Sequence, residues 1–146
     1  MMQLESAQNP DQFWQEYEKK IGEKIIGRSL GHYLSGWEEI DNAKLTSIWG
    51  LIISTPRGIR FHHFPQQSWL KTLGRNPEAA KERILFIPRE KIISAQLMEE
   101  TSWLKKLLKS STPKLVVNYR DDADIERQLL LEADLIKGDL LEGLNP

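Results

Sequence analysis

The sequence predicts a mainly β fold: an antiparallel barrel or sandwich of six to seven strands, with a helix added at the N-terminus and another closing the C-terminus. Three observations predict it. Residues 43–64 read as two apolar-rich strands joined by Thr55-Pro56-Arg57-Gly58, a tight-turn sequence in which proline presets φ and glycine supplies a positive φ. Further short segments alternate apolar and polar residues between polar turns, the spacing of a small barrel or sandwich. The last of these gives way to leucines at helical spacing over residues 134–144.

Taken in order, residues 1–22 form a helical extension and residues 23–146 the main domain. Pro10 and Asp11 suit a helix start, and Lys19 and Lys20 suit its end. Phe13, Trp14, Tyr17 and Ile21 make one face aromatic and apolar, so this short helix must dock, either on its own domain or on a partner. Lys24–Leu34 is an apolar strand interrupted by Gly27 and Gly31, which predicts a bend or bulge. Ser35–Asn42 reads as a turn or loop holding Trp37.

Ala43–Thr55 is the strongest strand. Leu45, Trp49, Leu51 and Ile53 lie on one side of it, Ile48 and Ile52 on the other. Ile59–Phe64 returns antiparallel to it. Residues 65–83 are polar and separate two strand-rich halves, with Trp69, Leu70 and Leu73 able to form one helical turn. Ile84–Ile87, Lys91–Met98 and Lys114–Tyr119 are three more strands. The polar turn Asp121-Asp122-Ala123-Asp124 leads into a returning strand, Ile125–Glu132. Residues 124–143 also admit a helical reading, because Leu, Glu and Gln favour helix. Strand to residue 132 followed by an amphipathic helix over Asp134–Leu144 is the preferred reading.

A chain of 146 residues is one domain's worth, long enough to bury a core without staples. The absence of cysteine excludes disulfides, thiol chemistry and cysteine-ligated metals. Apolar residues at 40% are too many for a disordered chain. A net charge of −1 argues against general nucleic-acid binding. With no apolar run near 18 residues and no signal-like segment after Met1, the expected location is cytoplasmic.

Several motifs, read in order, resemble the pleckstrin-homology-like superfamily, in particular its GRAM-like and bacterial-type members. Ile48-Trp49-Gly50-Leu51-Ile52-Ile53-Ser54-Thr55 followed by Gly58-Ile59-Arg60-Phe61 is similar to a hairpin typical of those domains. Ile87-Pro88-Arg89-Glu90-Lys91-Ile92 resembles their link into the next strand. Trp103-Leu104-Lys105-Lys106-Leu107-Leu108, then Leu115–Tyr119 and Asp121-Asp122, resembles their last hairpin. The resemblance spans residues 24–144 and implies a binding scaffold with a terminal helix. It does not extend to phosphoinositide recognition. Lys24, Arg28 and Lys44 stand among Glu38, Glu39 and Asp41, which would repel a polyphosphate, and no tryptophan follows Trp103.

Signals for catalysis are weak. His62 and His63 are adjacent, so on a strand they face opposite ways and cannot chelate one metal together; His32 is the only other histidine. There is no nucleophile elbow and no phosphate-cradling glycine loop. The acidic pairs Glu38-Glu39, Glu99-Glu100 and Asp121-Asp122 fall in expected turns. No catalytic residue, cofactor or metal is therefore assigned.

What remains points to binding. Trp14 and Trp69, outside the strands, are candidate partner contacts, because tryptophan is enriched in interface hot spots. Trp103, Leu104, Lys105, Lys106, Lys109 and Lys114 combine an apolar face with lysines, the composition of a contact with an anionic membrane or a partner. The leading expectation is a non-enzymatic binding or assembly module acting through a protein partner or homo-oligomer. Peripheral binding to anionic lipid through Trp103–Lys114 is the alternative. A small-molecule site between residues 65–83 and the Thr55–Gly58 turn is a third.

Overall fold

In a computed structural model the structure describes residues 10–43, 45, 48–64, 82–98, 112–142 and 144. Helix α1 (Pro10–Ile21) is followed by strand β1 (Gly27–Ser35), a short helix α2 (Glu38–Ala43), and strands β2 (Trp49–Thr55), β3 (Gly58–His63) and β4 (Arg83–Pro88). A single 3-10 turn, Arg89–Lys91, leads into β5 (Ile92–Met98), and β6 (Lys114–Arg120) and β7 (Glu126–Gly138) complete the order. The seven strands form one antiparallel sheet in the order β4-β3-β2-β1-β7-β6-β5, with β4 and β5 at its edges.

Side chains alternate across this sheet, and one face carries the core. Ile52, Phe61 and Ile87 from the first half share a single buried cluster with Ile92, Leu115, Val117, Leu129 and Leu131 from the second. Residues of the edge strand β4 thus share one core with residues of the opposite edge strand β5, so the sheet curls on itself as a half-barrel. Gly31 sits where β1 crosses this interior. A Cβ there would lie 2.6 Å from Ile52 and 3.1 Å from Phe61, so the glycine marks close packing. The bulges expected of this strand occur beside it, as register shifts at Arg28/Leu30 and Tyr33/Ser35.

The hairpin of β2 and β3 forms as the sequence predicts, with Thr55 paired to Gly58 across the turn. Arg89 fastens that turn from the 3-10 turn that links β4 to β5. Its backbone N–H donates to the Arg57 carbonyl at 2.7 Å and its Nε to the Pro56 carbonyl at 2.8 Å.

Three expectations are corrected. The terminal helix expected over Asp134–Leu144 does not start at Asp134: β7 runs on to Gly138, and a turn follows at Leu140–Glu142. The reason is the partner strand. Gly27, Arg28 and Leu30 pair with Gly138, Lys137 and Asp134, and this pairing outweighs the local helix preference of the leucines. Leu140 and Leu144, each 1% exposed, then close the end of the core. Secondly, the loop expected around Trp37 contains α2. Trp37 begins it, its carbonyl accepting from the N–H groups of Ile40 and Asp41, and Glu38 and Glu39 suit the first turn. Thirdly, β2 begins at Trp49, and Leu45 packs against the core cluster instead of sharing a face with Trp49.

Helix α1 contributes no residue to the core cluster. It lies on the opposite, outer face of the sheet, where its Tyr17 meets His62 of β3. Ile53, fully buried but on the face opposite Ile52, belongs to this outer layer. Among the described residues no helix is long and apolar enough to cross a membrane.

Candidate functional site

Strand β4 has the sequence Arg-Ile-Leu-Phe-Ile-Pro and among the described residues pairs only with β3, so one side of its backbone has no neighbouring strand there. Alternation sends Leu85 and Ile87 toward the core and Ile84 and Phe86 outward. Those two outward side chains remain 53% and 37% exposed. Such an apolar, open edge is a template for adding another strand. The Arg60 guanidinium lies 4.4 Å from the centre of the Phe86 ring and is itself ion-paired with buried Glu23 at 3.1 Å.

Beside this edge lies a cleft of about 340 Å³. Phe86 and Pro88 of β4 form one wall, the turn residues Asp121 and Asp122 the other, and Trp37 and Tyr119 contribute aromatic lining. The cleft spans the gap that the half-barrel leaves open. Its far wall is held by Arg127, whose Nε donates to Asp121 at 2.8 Å and whose Nη2 donates to Glu38 at 2.5 Å. The Arg127 bond, with the N–H groups of Ile125 and Ala123, holds the Asp121 carboxyl below the usual carboxylate range. Burial pushes the Tyr119 phenol up, and its hydroxyl donates to the Gly36 carbonyl at 2.9 Å.

The α2 side is organised by one hydroxyl. Tyr33 Oη accepts the Trp37 N–H at 2.8 Å and donates to Asp41 at 2.6 Å. Burial, then the bond to Asp41, raises its phenol well above the ordinary tyrosine range. Glu39 on the same helix reaches Arg83, at the head of β4, at 2.8 Å. The helix that carries Trp37 is thereby tied to both the core and the edge strand.

Two further polar groupings occupy the outer face. In the first, the Tyr17 hydroxyl donates to His62 Nδ1 at 2.7 Å, and His62 Nε2 donates to the Glu82 carboxylate. The partners assign the neutral Nε2–H tautomer. Tyr17 and His62 are 2% and 3% exposed, while Glu82 is half-exposed. Burial drives the Tyr17 phenol up to about 12 and the His62 imidazole down. In the second, His32 stacks on Trp49 at 4.4 Å and its Nδ1 lies 2.8 Å from Glu132.

Of the residues singled out from the sequence, Trp14 lies half-buried on α1, its ring 4.3 Å from the Arg28 guanidinium and beside Phe13 and Tyr17. Lys114 opens β6 with its Nζ 4.0 Å from Glu132. Trp69, Trp103, Leu104, Lys105, Lys106 and Lys109 lie outside the described residues, as does nearly all of the 65–83 segment. His62 and His63 do face opposite sides of β3: His62 meets α1, and His63 Nδ1 lies 2.8 Å from the Trp49 carbonyl. Among the described residues no group of three or more His, Asp or Glu side chains could hold a metal ion.

Sequence reading missed the groupings around Tyr33, His62 and His32. His32 and Glu132 are 100 residues apart and Tyr17 and His62 are 45 apart, so only the strand order brings them together. The open edge had one visible signal, an apolar run ended by Pro88. No family model matches this chain, and no curated protein or solved structure matches it either.

Proposed function

We propose that this chain is a non-enzymatic binding or assembly module of pleckstrin-homology-like type that acts by protein contact at the open edge of β4. The observation that carries the reading is the exposed pair Ile84 and Phe86 on an edge strand flanked by the cleft of Trp37 and Tyr119. An added strand would pair with the outer backbone edge of β4 beyond Arg83 and cover both side chains. The non-catalytic reading is supported by the state of the most reactive grouping: α1 buries Tyr17 and His62, which keeps a substrate from them. The architectural likeness is supported by the antiparallel strand order and the β2–β3 hairpin, although strand replaces the first part of the expected terminal helix.

A second copy of the chain is the simplest partner. Two β4 strands paired antiparallel about Leu85 bring Ile84 of one copy opposite Phe86 of the other, on one face. Light scattering after size exclusion across a concentration series tests this. A dimer that dissociates in Phe86→Lys and in Leu85→Pro supports the reading. A strict monomer at every concentration, or a dimer unaffected by both substitutions, counts against β4 as the contact.

A further inference from the structure

Helix α1 is fastened to the sheet in an unusual manner. It contributes nothing to the main core, and among its described side chains Tyr17 alone is buried. Phe13, Trp14 and Ile21 are half-buried beside it, and polar and cation–π contacts complete the attachment. Trp14 lies against the Arg28 guanidinium, and the Glu18 carboxylate accepts the Ile25 N–H at 2.8 Å. Just beyond the helix, Glu23 pairs with Arg60 and accepts the Arg57 N–H at 2.9 Å. The Tyr17 hydroxyl at the centre of this contact depends on one acceptor, the bare Nδ1 of neutral His62.

We propose that α1 is an acid-released strap, held over the outer face of the sheet by the Tyr17–His62–Glu82 chain and freed when His62 takes up a proton. A proton added to Nδ1 turns the acceptor into a donor aimed at the Tyr17 oxygen. The tyrosine proton must then find another acceptor in a site that is closed to water, and a buried donor left without a partner is costly.

Among the described residues, charged and titratable groups act on these side chains from both packed elements. Lys20 on α1 and His63 on β3 oppose a positive charge at His62, whereas Glu82 favours it. Arg60 on β3 acts on Tyr17. Burial outweighs the help from Glu82, so the imidazole stays neutral further into the acid range than an ordinary histidine while α1 is docked. Release restores ordinary hydration, and acid therefore favours the released form. Release would uncover Ile53 and His62 next to Arg60 and Phe86, which enlarges the apolar surface at the β4 edge. The strap itself does not depend on what binds there.

Amide hydrogen exchange on the full chain, corrected for intrinsic rates, tests the inference between pH 7.5 and 5.5, above the range of ordinary carboxylates. The α1 amides are expected to lose protection severalfold as the pH falls, while those of β2 and β6 hold. In His62→Gln, whose side chain cannot take a charge in this range, that dependence disappears. Tyr17→Phe, which keeps the ring and removes the stranded hydroxyl, weakens it. Protection of α1 that is flat with pH in the wild type overturns the proposal. So does loss in step with the sheet, or a dependence that survives unchanged in His62→Gln.

Discussion

Replacing Tyr33 by phenylalanine isolates the hydroxyl that organises α2. The ring stays in place, packed 6.3 Å from Phe61, so almost no apolar burial is lost. What goes is the acceptor for the Trp37 N–H and the donor to Asp41. A buried N–H stripped of its acceptor costs about 1–3 kcal/mol, and the bond to exposed Asp41, whose carboxylate can rehydrate, adds about 1 kcal/mol. The sum is about 2–4 kcal/mol, a fall in Tm of roughly 6–14 °C for a domain of this size. Urea unfolding followed by circular dichroism, with an unchanged slope, measures it. Asp41→Asn removes only the smaller part, and adding it to Tyr33→Phe costs almost nothing further, because the two residues share one bond. A Tyr33→Phe variant within about 0.5 kcal/mol of wild type refutes the idea that this hydroxyl holds α2 and, with it, one wall of the cleft.

Other outcomes follow from the same geometry. Gly36→Ala is expected to destabilise by more than about 2 kcal/mol, because φ is +103° and a Cβ would sit 2.0 Å from the Gln128 carbonyl oxygen; thermal unfolding checks it. Carbon-detected titration should find the Asp121 carboxyl below its ordinary range and returned toward it in Arg127→Gln. Because that carboxyl is depressed in the folded state, its contribution is complete above the ordinary aspartate range and is lost as the pH falls through the folded value. His62 has the same sign at higher pH. Its depressed imidazole means that stability declines as the pH drops below the ordinary histidine range, and urea midpoints at successive pH values should show a decline that His62→Gln flattens. At concentrations too low for self-association, Ile84→Lys on the exposed edge should leave Tm within a few degrees of wild type, since little burial is lost within one copy.

The strand pattern was legible because it follows from alternation, which a sequence displays directly. The β2–β3 hairpin needed only apolar residues at period two and a turn that proline and glycine specify. The end of β7 was not legible for the complementary reason: Leu135, Ile136, Leu140 and Leu141 carry local helix preference, and only the distant backbone of Gly27–Leu30 makes strand the better state as far as Gly138. Trp37 was read as loop because no local residue shows that the Tyr33 hydroxyl stands ready for its N–H. The outer face was the least readable part. Tyr17, His62 and Glu82 are ordinary residues singly, and each acquires its environment from an element elsewhere in the chain. An exposed Phe86 likewise resembles any strand phenylalanine until the order of the sheet puts β4 at its rim.

The position of β1 has a consequence for how the molecule comes into being. It is the innermost strand of seven, yet one of its two neighbours, β7, is about a hundred residues further along. During synthesis the first four strands can associate while that flank of β1 lies bare, and the interior cannot seal until the final strand leaves the ribosome. Such distant pairing makes for slow closure and a vulnerable intermediate. A cell making this protein quickly would have to shelter the unfinished sheet from its own copies.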